Sequence, residues 1–204
     1  MTNTSTHVDS DCDSDDEPPS SIIDREGPSA FPGLEIDIDS VDSSLGDLDE
    51  LASTLINIVS AVLHQQSAPL ALCGEVFIRV VGSDDSQRLN SEFRGKNYAT
   101  NVLSFPGTEP EDIAASFAAS ASGGPPVMLG DIIVAAPVVA AEASEQGKPV
   151  LDHFYHLITH GLLHLLGHDH IEDNHAEKME AIEIVILAEM GIANPYIVGK
   201  SHVG

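Results

Sequence analysis

Histidines are concentrated between residues 153 and 170, and two of them have the spacing of metal ligands. His160 and His164 are four residues apart, so on a helix they project from one face about one turn apart. Two imidazoles placed in this way can bind a single metal ion. Gly167 lets the chain turn back, and this return can bring His170 to the same ion. His156 lies on the same face, four residues before His160, so a different trio of ligands stays open.

Three neutral histidines around a metal leave one coordination position for water, which is typical of catalytic rather than structural zinc. Imidazole also suits Cu, Ni and Fe, but an all-histidine site with an open position fits Zn²⁺ best. The spacing therefore predicts one zinc ion at this helix. Among the other histidines, we expect His153 and His175 to face solvent, and His168 to line the pocket or lie on the surface.

The residue that follows His160 indicates which reactions this site could catalyse. In zinc peptidases of the His-Glu-x-x-His type this residue is a glutamate that acts as general base. Here it is Gly161, which disfavours peptide hydrolysis by that route. A hydrolase that combines metal-activated water with a cation for the developing negative charge stays open, and phosphodiester cleavage suits those parts. Asp131 and Asp169 are candidates for orienting the imidazoles.

The elements that must position these residues mix strands and helices without strict alternation, which predicts an α+β fold with a small mixed sheet packed with helices. The segment 107–126 is rich in Ala, Ser, Gly and Glu, and we expect a long surface loop there. The predicted strands are 34–39, 75–81, 101–105 and 132–134. The predicted helices are 48–66, 84–93, one with Pro137 in its first turn, 153–166 and a last one that carries Met179, Ile182, Ile186 and Leu187.

Composition divides the chain of 204 residues into two parts. Residues 1–49 contain 14 acids and one base, which predicts a disordered acidic tail over 1–40 ahead of a single metallohydrolase domain over 41–204.

The two cysteines, Cys12 and Cys73, are too far apart in the sequence to suggest a disulfide framework. No apolar run is long enough for a membrane helix, and no secretory signal is visible, so we expect a cytoplasmic protein.

The net charge of −25 repels polyanions and argues against strong binding to nucleic acid. Half of the eight bases nevertheless lie within residues 79–96, where they outnumber the acids by one. Such a weak basic strip beside a divalent metal can hold a short single strand. We therefore expect weak, salt-sensitive RNA binding that depends on a ribosomal partner for positioning.

The segment from His160 to His170, with the sequence HGLLHLLGHDH, resembles the defining motif of the YbeY family of bacterial ribosomal-RNA maturation endoribonucleases. The position of His168 is commonly aromatic in that family, and the acidic segment 107–126 is unusually long. The resemblance covers roughly residues 75–196. Further matches follow in the same order at residues 89–96 (LNSEFRGK), 100–106 (TNVLSFP), 129–132 (LGDI), 177–183 (EKMEAIE) and 194–196 (NPY).

The resemblance implies a zincin-like domain in which His160, His164 and His170 bind zinc. It implies that Arg94 is the catalytic arginine of an Asn-x-x-Phe/Tyr-Arg motif, where its guanidinium would contact phosphate oxygens. The implied function is a zinc-dependent hydrolase, a single-strand-specific endoribonuclease in 16S rRNA 3′-end maturation and ribosome quality control. Its partners would be rRNA and the ribosome or a ribosomal protein, with no membrane and no DNA. Two alternatives stay open, a metal-dependent hydrolase of another substrate and a ribosome-assembly factor whose metal site is structural.

Overall fold

The architecture is that of a mixed sheet with helices on both faces, in a computed structural model that describes residues 31–46, 48–168 and 173–197. The helices are α1 (Leu48–Gln65), α2 (Ser83–Arg94), α3 (Ile113–Ala121), α4 (Ala136–Gln146), α5 (Val150–Leu165) and α6 (Asp173–Glu189), with short 3-10 turns at Ser43–Leu45 and Pro110–Asp112. The strands are β1 (Gly33–Ser40), β2 (Cys73–Val81), β3 (Val102–Pro106) and β4 (Val127–Ala135).

The four strands lie in the order β1-β2-β4-β3. The first three of these are parallel, whereas β3 runs antiparallel to β4 at one edge, with Ser104 opposite Ile132. The parallel strands need helical crossovers, and α1 supplies the one between β1 and β2. The α+β fold predicted from the pattern is confirmed.

The two faces of the sheet bury different sets of side chains. One face packs Ile78 and Ile132 against apolar residues of α1, α5 and α6, and this is the main core. On the other face, Ile133 belongs to a smaller cluster that Leu89 of α2 and Val138 of α4 cover in part. Helix α5 therefore lies against the sheet on the main-core side, and α2 lies on the opposite side.

The prediction of a long loop over 107–126 is wrong, because α3 forms within it. Phe117 and Ser120 of this helix are both buried. The Ser120 hydroxyl accepts a hydrogen bond from the Cys73 amide (3.0 Å) and donates one to the Cys73 carbonyl (2.8 Å), which ties α3 to the start of β2. Alanine is the best helix former, and the buried Phe117 and Ser120 anchor this alanine-rich segment to the rest of the domain.

The remaining predicted strands and helices are present, and their predicted ends differ by at most three residues except in β4, which begins five residues earlier than predicted. Strand β1 occupies residues 33–40, inside the range that composition assigned to the acidic tail. Residues 1–30 lie outside the described residues, so the disorder of the tail stays a prediction.

Within the described residues, no helix combines the length and the apolar character that crossing a bilayer requires.

Candidate metal centre

Two of the predicted metal ligands lie side by side on α5. The helix buries Phe154, Ile158 and Leu162 in the core, and this packing turns the opposite side, with His160 and His164, toward a partly open surface. The two Nε2 atoms are 3.0 Å apart, and the side chain of His160 is 24% exposed. Two nitrogens bound to one tetrahedral zinc lie about 3.3 Å apart, so this separation is close to that of a shared metal.

The other nitrogen of each ring determines which atom can bind a metal. His160 Nδ1 lies 2.9 Å from a carboxylate oxygen of Glu183, and His164 Nδ1 lies 2.8 Å from the carbonyl oxygen of His168. Both oxygens can only accept, so in the neutral rings the hydrogens are on Nδ1. The lone pairs of both Nε2 atoms therefore face the same point, as metal ligation requires.

The remaining predicted residues of this motif have different outcomes. Residues 169–172 lie outside the described residues, so the roles of His170 as third ligand and of Asp169 stay predictions. His168 is partly buried, and it contributes its backbone carbonyl to the orientation of His164. No group of three or more metal-binding side chains is complete among the described residues.

Glu183 is a residue of this site that sequence reasoning did not single out. It projects from α6, has no exposed surface, and contacts His156 Nε2 at 2.9 Å and the Tyr196 hydroxyl as well as His160. Burial alone would raise the pKa of Glu183, but the hydrogen bonds from His156, His160 and Tyr196 outweigh it and lower the pKa to about 2. A signal was present, because Glu183 lies on the apolar face of α6 between Met179 and Leu187.

His156 contacts the carboxylate of Glu183 and is not directed at the point that His160 and His164 share. Its Nε2 is directed at Glu183, and its ring centre is 6.3 Å from that of His160, against 4.5 Å between His160 and His164. The alternative trio that included His156 is not what the described residues form.

Gly161 is a point of close contact between α5 and the edge of the sheet. A Cβ atom at this position would lie 3.0 Å from Ser104 Oγ and 3.2 Å from Ile132 Cγ2. Zinc peptidases of the His-Glu-x-x-His type carry their general base at this sequence position. Here the space that its side chain would enter is filled by Ser104 of β3 and Ile132 of β4.

Arg94 reaches the same edge of the sheet from the other face. It is the last residue of α2, and Gly95 ends the helix in the left-handed conformation (φ 69°). The Arg94 Nη2 donates to the Ser104 carbonyl oxygen at 3.1 Å, and the guanidinium carbon lies 5.9 Å from the centre of the Phe105 ring. Within the described part of the chain Arg94 makes no ion pair with a carboxylate, unlike Arg88 of the same helix. Ser104 thus connects Arg94 to Gly161 and the histidine helix.

Comparison with known proteins identifies the family. The family model described as "Endoribonuclease YbeY" matches residues 36–191. The chain belongs to the YbeY family. Proteins named "Endoribonuclease YbeY" from Idiomarina loihiensis and Stenotrophomonas maltophilia are 48% and 52% identical to it over 122 residues, 60% of this chain and 68% and 71% of theirs. The one from Laribacter hongkongensis is 49% identical over 140 residues, 69% of this chain and 76% of that protein.

A solution structure of a protein from Thermotoga maritima is also similar, with 24% identity and a TM-score of 0.49 over 76% of this chain and 91% of that one. The YbeY match spans Arg94, the two predicted ligands on α5 and Glu183, and it ends five residues before Tyr196. The resemblance read from the motifs is confirmed at the level of the family.

Three further expectations concern His153, Asp131 and His175. The expectation that His153 faces solvent is wrong, because this side chain is buried and its Nε2 lies 2.8 Å from Glu142. The Asn101 side-chain amide also donates to Glu142, so α4, α5 and the start of β3 meet there. Asp131 is exposed on β4, opposite Phe105, and among the described residues it bonds no imidazole. His175 is exposed, as expected.

Proposed function

We propose that this protein is a zinc-dependent endoribonuclease of single-stranded RNA that acts in 16S rRNA 3′-end maturation and ribosome quality control in the cytoplasm. The observation that carries the metal part is the pair of Nε2 atoms of His160 and His164, 3.0 Å apart and both with their Nδ1 atoms on acceptors. The family name of the relatives supports the RNA part.

Zinc would be held by His160 and His164, with His170 as the third ligand. When bound, zinc supplies a Lewis acid that activates water near neutral pH. The protein contributes ligand orientation through Glu183 and the His168 carbonyl. These two acceptors belong to different segments, so the geometry depends on the folded domain.

Arg94 is the cation proposed to stabilise the phosphate in the transition state. Guanidinium presents five N–H donors in a fork that matches phosphate oxygens, and the described residues engage only Nη2, through the Ser104 carbonyl. That bond holds the side chain at the edge strand while its remaining donors stay available to substrate. A positioned donor of this kind contributes about 3–4 kcal/mol to transition-state stabilisation.

The surface around Arg94 suits a single strand of RNA. Phe93 and Tyr98 are each 55% exposed on either side of Arg94 and Lys96, and the Phe93 ring packs edge-on against Phe105 at 5.1 Å. Exposed aromatic rings beside cations are the usual means by which proteins hold unpaired bases. This arrangement supports an unpaired strand over a duplex, whose bases are already stacked.

Metal analysis and RNA cleavage test the proposal together. Purified protein should contain about one zinc per chain, should cleave a single-stranded RNA that carries the 16S 3′ end, and should lose that activity with chelator until zinc is restored. Arg94→Ala should lower kcat by about 10²–10³. Arg88→Ala is the matched control for kcat at saturating RNA, because Arg88 belongs to the same basic strip and helix but, within the described residues, is exposed and pairs with Asp85 and Glu92.

The alternatives give different results in the same experiment. Cleavage of peptides or small phosphoesters but not RNA would favour a hydrolase of another substrate. An assembly factor with a structural metal predicts that Arg94→Ala leaves rRNA processing intact while His160→Ala unfolds the domain. Equal activities of Arg94→Ala and Arg88→Ala would refute the role of Arg94. Sedimentation of the wild type with small ribosomal subunits tests the ribosomal partner.

A further inference from the structure

We infer that Glu183 is a positioning residue of the metal centre, and that His156 and Tyr196 hold its carboxylate in place, so that the C-terminal end of the domain helps to orient a metal ligand. This inference rests on the proposed metal site. The group of residues Glu183, His156 and Tyr196 is called the carboxylate clamp below. It involves α5, α6 and the segment after α6, and none of its members is a metal ligand in the proposal.

The first step is the tautomer of His160. A neutral imidazole carries one hydrogen, and the acceptor at one nitrogen determines which nitrogen is left for a metal. Glu183 Oε1 accepts from His160 Nδ1 at 2.9 Å. With this acceptor absent, the hydrogen can move to Nε2, the atom that faces His164. Carboxylate partners of this kind also make a ligating imidazole more basic.

The second step concerns the hydrogen bonds that keep the Glu183 carboxylate ionised and fix its orientation. A buried carboxylate with too few donors is costly and tends to take up a proton. Here Oε1 is bonded to His160, and Oε2 is bonded both to His156 Nε2 at 2.9 Å and to the Tyr196 hydroxyl. Three donors on two oxygens leave the carboxylate little freedom to rotate away from His160.

The third step is where the donors come from. His156 lies one turn before His160 on α5, so it follows the same rigid helix. Tyr196 lies seven residues after the end of α6, in a segment attached to the domain by the Lys148 side chain, which donates to the Pro195 carbonyl. The Tyr196 side chain is partly exposed although its hydroxyl meets a buried group. Removing that hydroxyl therefore disturbs the clamp with little effect on the core.

The same helix provides a matched control. His153 Nε2 and Glu142 are 2.8 Å apart, and this pair of a buried histidine and a partly exposed glutamate has the chemistry of His160 and Glu183 without a proposed ligand. Glu142→Gln therefore reproduces the loss of a carboxylate beside a histidine of α5. Any effect common to Glu183→Gln and Glu142→Gln reports on the helix, and an effect confined to Glu183→Gln reports on the metal centre.

The experiment has two readouts, zinc affinity by competition with a chromophoric chelator and the side-chain ¹⁵N shifts of His160 in metal-free protein. We expect Glu183→Gln to weaken zinc binding by about 10–100-fold and to reduce the population of the Nδ1–H tautomer of His160. Tyr196→Phe should weaken binding by about threefold or more. Glu142→Gln should stay within about twofold of wild type.

Unchanged zinc affinity in folded Glu183→Gln, or equal losses in both glutamine variants, would overturn the inference. If Glu183→Gln does not fold, Tyr196→Phe decides: a loss of affinity supports the clamp, and wild-type affinity refutes it. If the wild type binds no zinc, the proposed function fails by itself. The metal-free ¹⁵N spectrum then still tests the clamp, because wild-type His160 must show the Nδ1–H tautomer and Tyr196→Phe must reduce it.

Discussion

Single atoms decide much of the chemistry at the residue scale. At His160 and His164 the position of one hydrogen per ring determines whether Nε2 can bind a metal, and acceptors from other segments set it. At Gly161 the absence of a Cβ atom lets Ser104 and Ile132 approach α5. The edge strand thereby lies against the histidine helix with no room for a larger side chain between them.

Replacing this glycine tests the exclusion of peptidase chemistry. Gly161→Glu restores the missing glutamate of the peptidase motif, but its side chain would have to displace Ser104 and the buried Ile132. We expect a loss of about 3 kcal/mol or more in the free energy of unfolding and no peptide hydrolysis, measured by denaturant titration and a peptide assay. Ala141→Glu, at an exposed site of α4, should cost less than about 0.5 kcal/mol. A stable Gly161→Glu protein that hydrolyses peptides would show that packing against Ser104 and Ile132 does not exclude peptidase chemistry at this position.

Helix α3 shows what decides an element in this protein. Its sequence, IAASFAASA, has only one large aromatic side chain, so its pattern resembled a loop. In the fold Phe117 enters the core, and Ser120 bonds both backbone groups of Cys73. The helix therefore connects the segment after β3 to the beginning of β2.

Two serines of this region make a matched test. Ser120→Ala removes the partner of two backbone groups at Cys73, and we expect the free energy of unfolding to fall by about 1–3 kcal/mol in denaturant titration. Ser122→Ala removes only an exposed bond to the Ala118 carbonyl and should change stability by less than about 0.5 kcal/mol. Similar losses in the two variants would mean that α3 does not support β2.

Charge dominates at the scale of the whole molecule. A net charge of −25 opposes any polyanion, and the exposed cations beside the proposed site are Arg94 and Lys96. About 0.7 counterions are released per phosphate contact with a single strand, so two contacts supply little affinity. RNA must then be brought to the site by something other than general electrostatic attraction, which fits a ribosomal partner.

The expected behaviour in solution is weak binding to short single-stranded RNA. At physiological salt the dissociation constant should exceed about 1 μM, measured by fluorescence anisotropy on metal-free protein. The logarithm of the association constant should fall with the logarithm of the salt concentration with a slope of about −1.4. Sub-micromolar binding under these conditions would contradict the prediction.

The acidic N-terminal segment provides a second test of charge. Deleting residues 1–30 removes eight acids and one base, and the cut leaves buried Phe31 and β1 intact. If this segment competes with RNA for the basic strip, affinity at low salt should rise about threefold or more, and the gain should vanish at high salt. Unchanged affinity at low salt would contradict competition between this segment and RNA.

Local periodicity was sufficient to predict much of this protein. The spacing of four residues placed His160 and His164 on one face of a helix, because a helix has 3.6 residues per turn whatever its surroundings. Alternation of β-branched residues predicted β2, and Leu55 and Val62 predicted the buried face of α1. The α+β class followed from the order of these elements.

Only the tertiary structure decided which distant residues meet. Glu183 lies 23 residues after His160, and their contact exists because α6 packs on α5. Arg94 finds the Ser104 carbonyl because α2 ends beside the edge of the sheet, and His153 is buried because α4 brings Glu142 to it. Periodicity specifies the face of an element on which a residue lies, whereas the packing of elements determines what that face contacts, and the acceptors that orient the imidazoles depend on the packing.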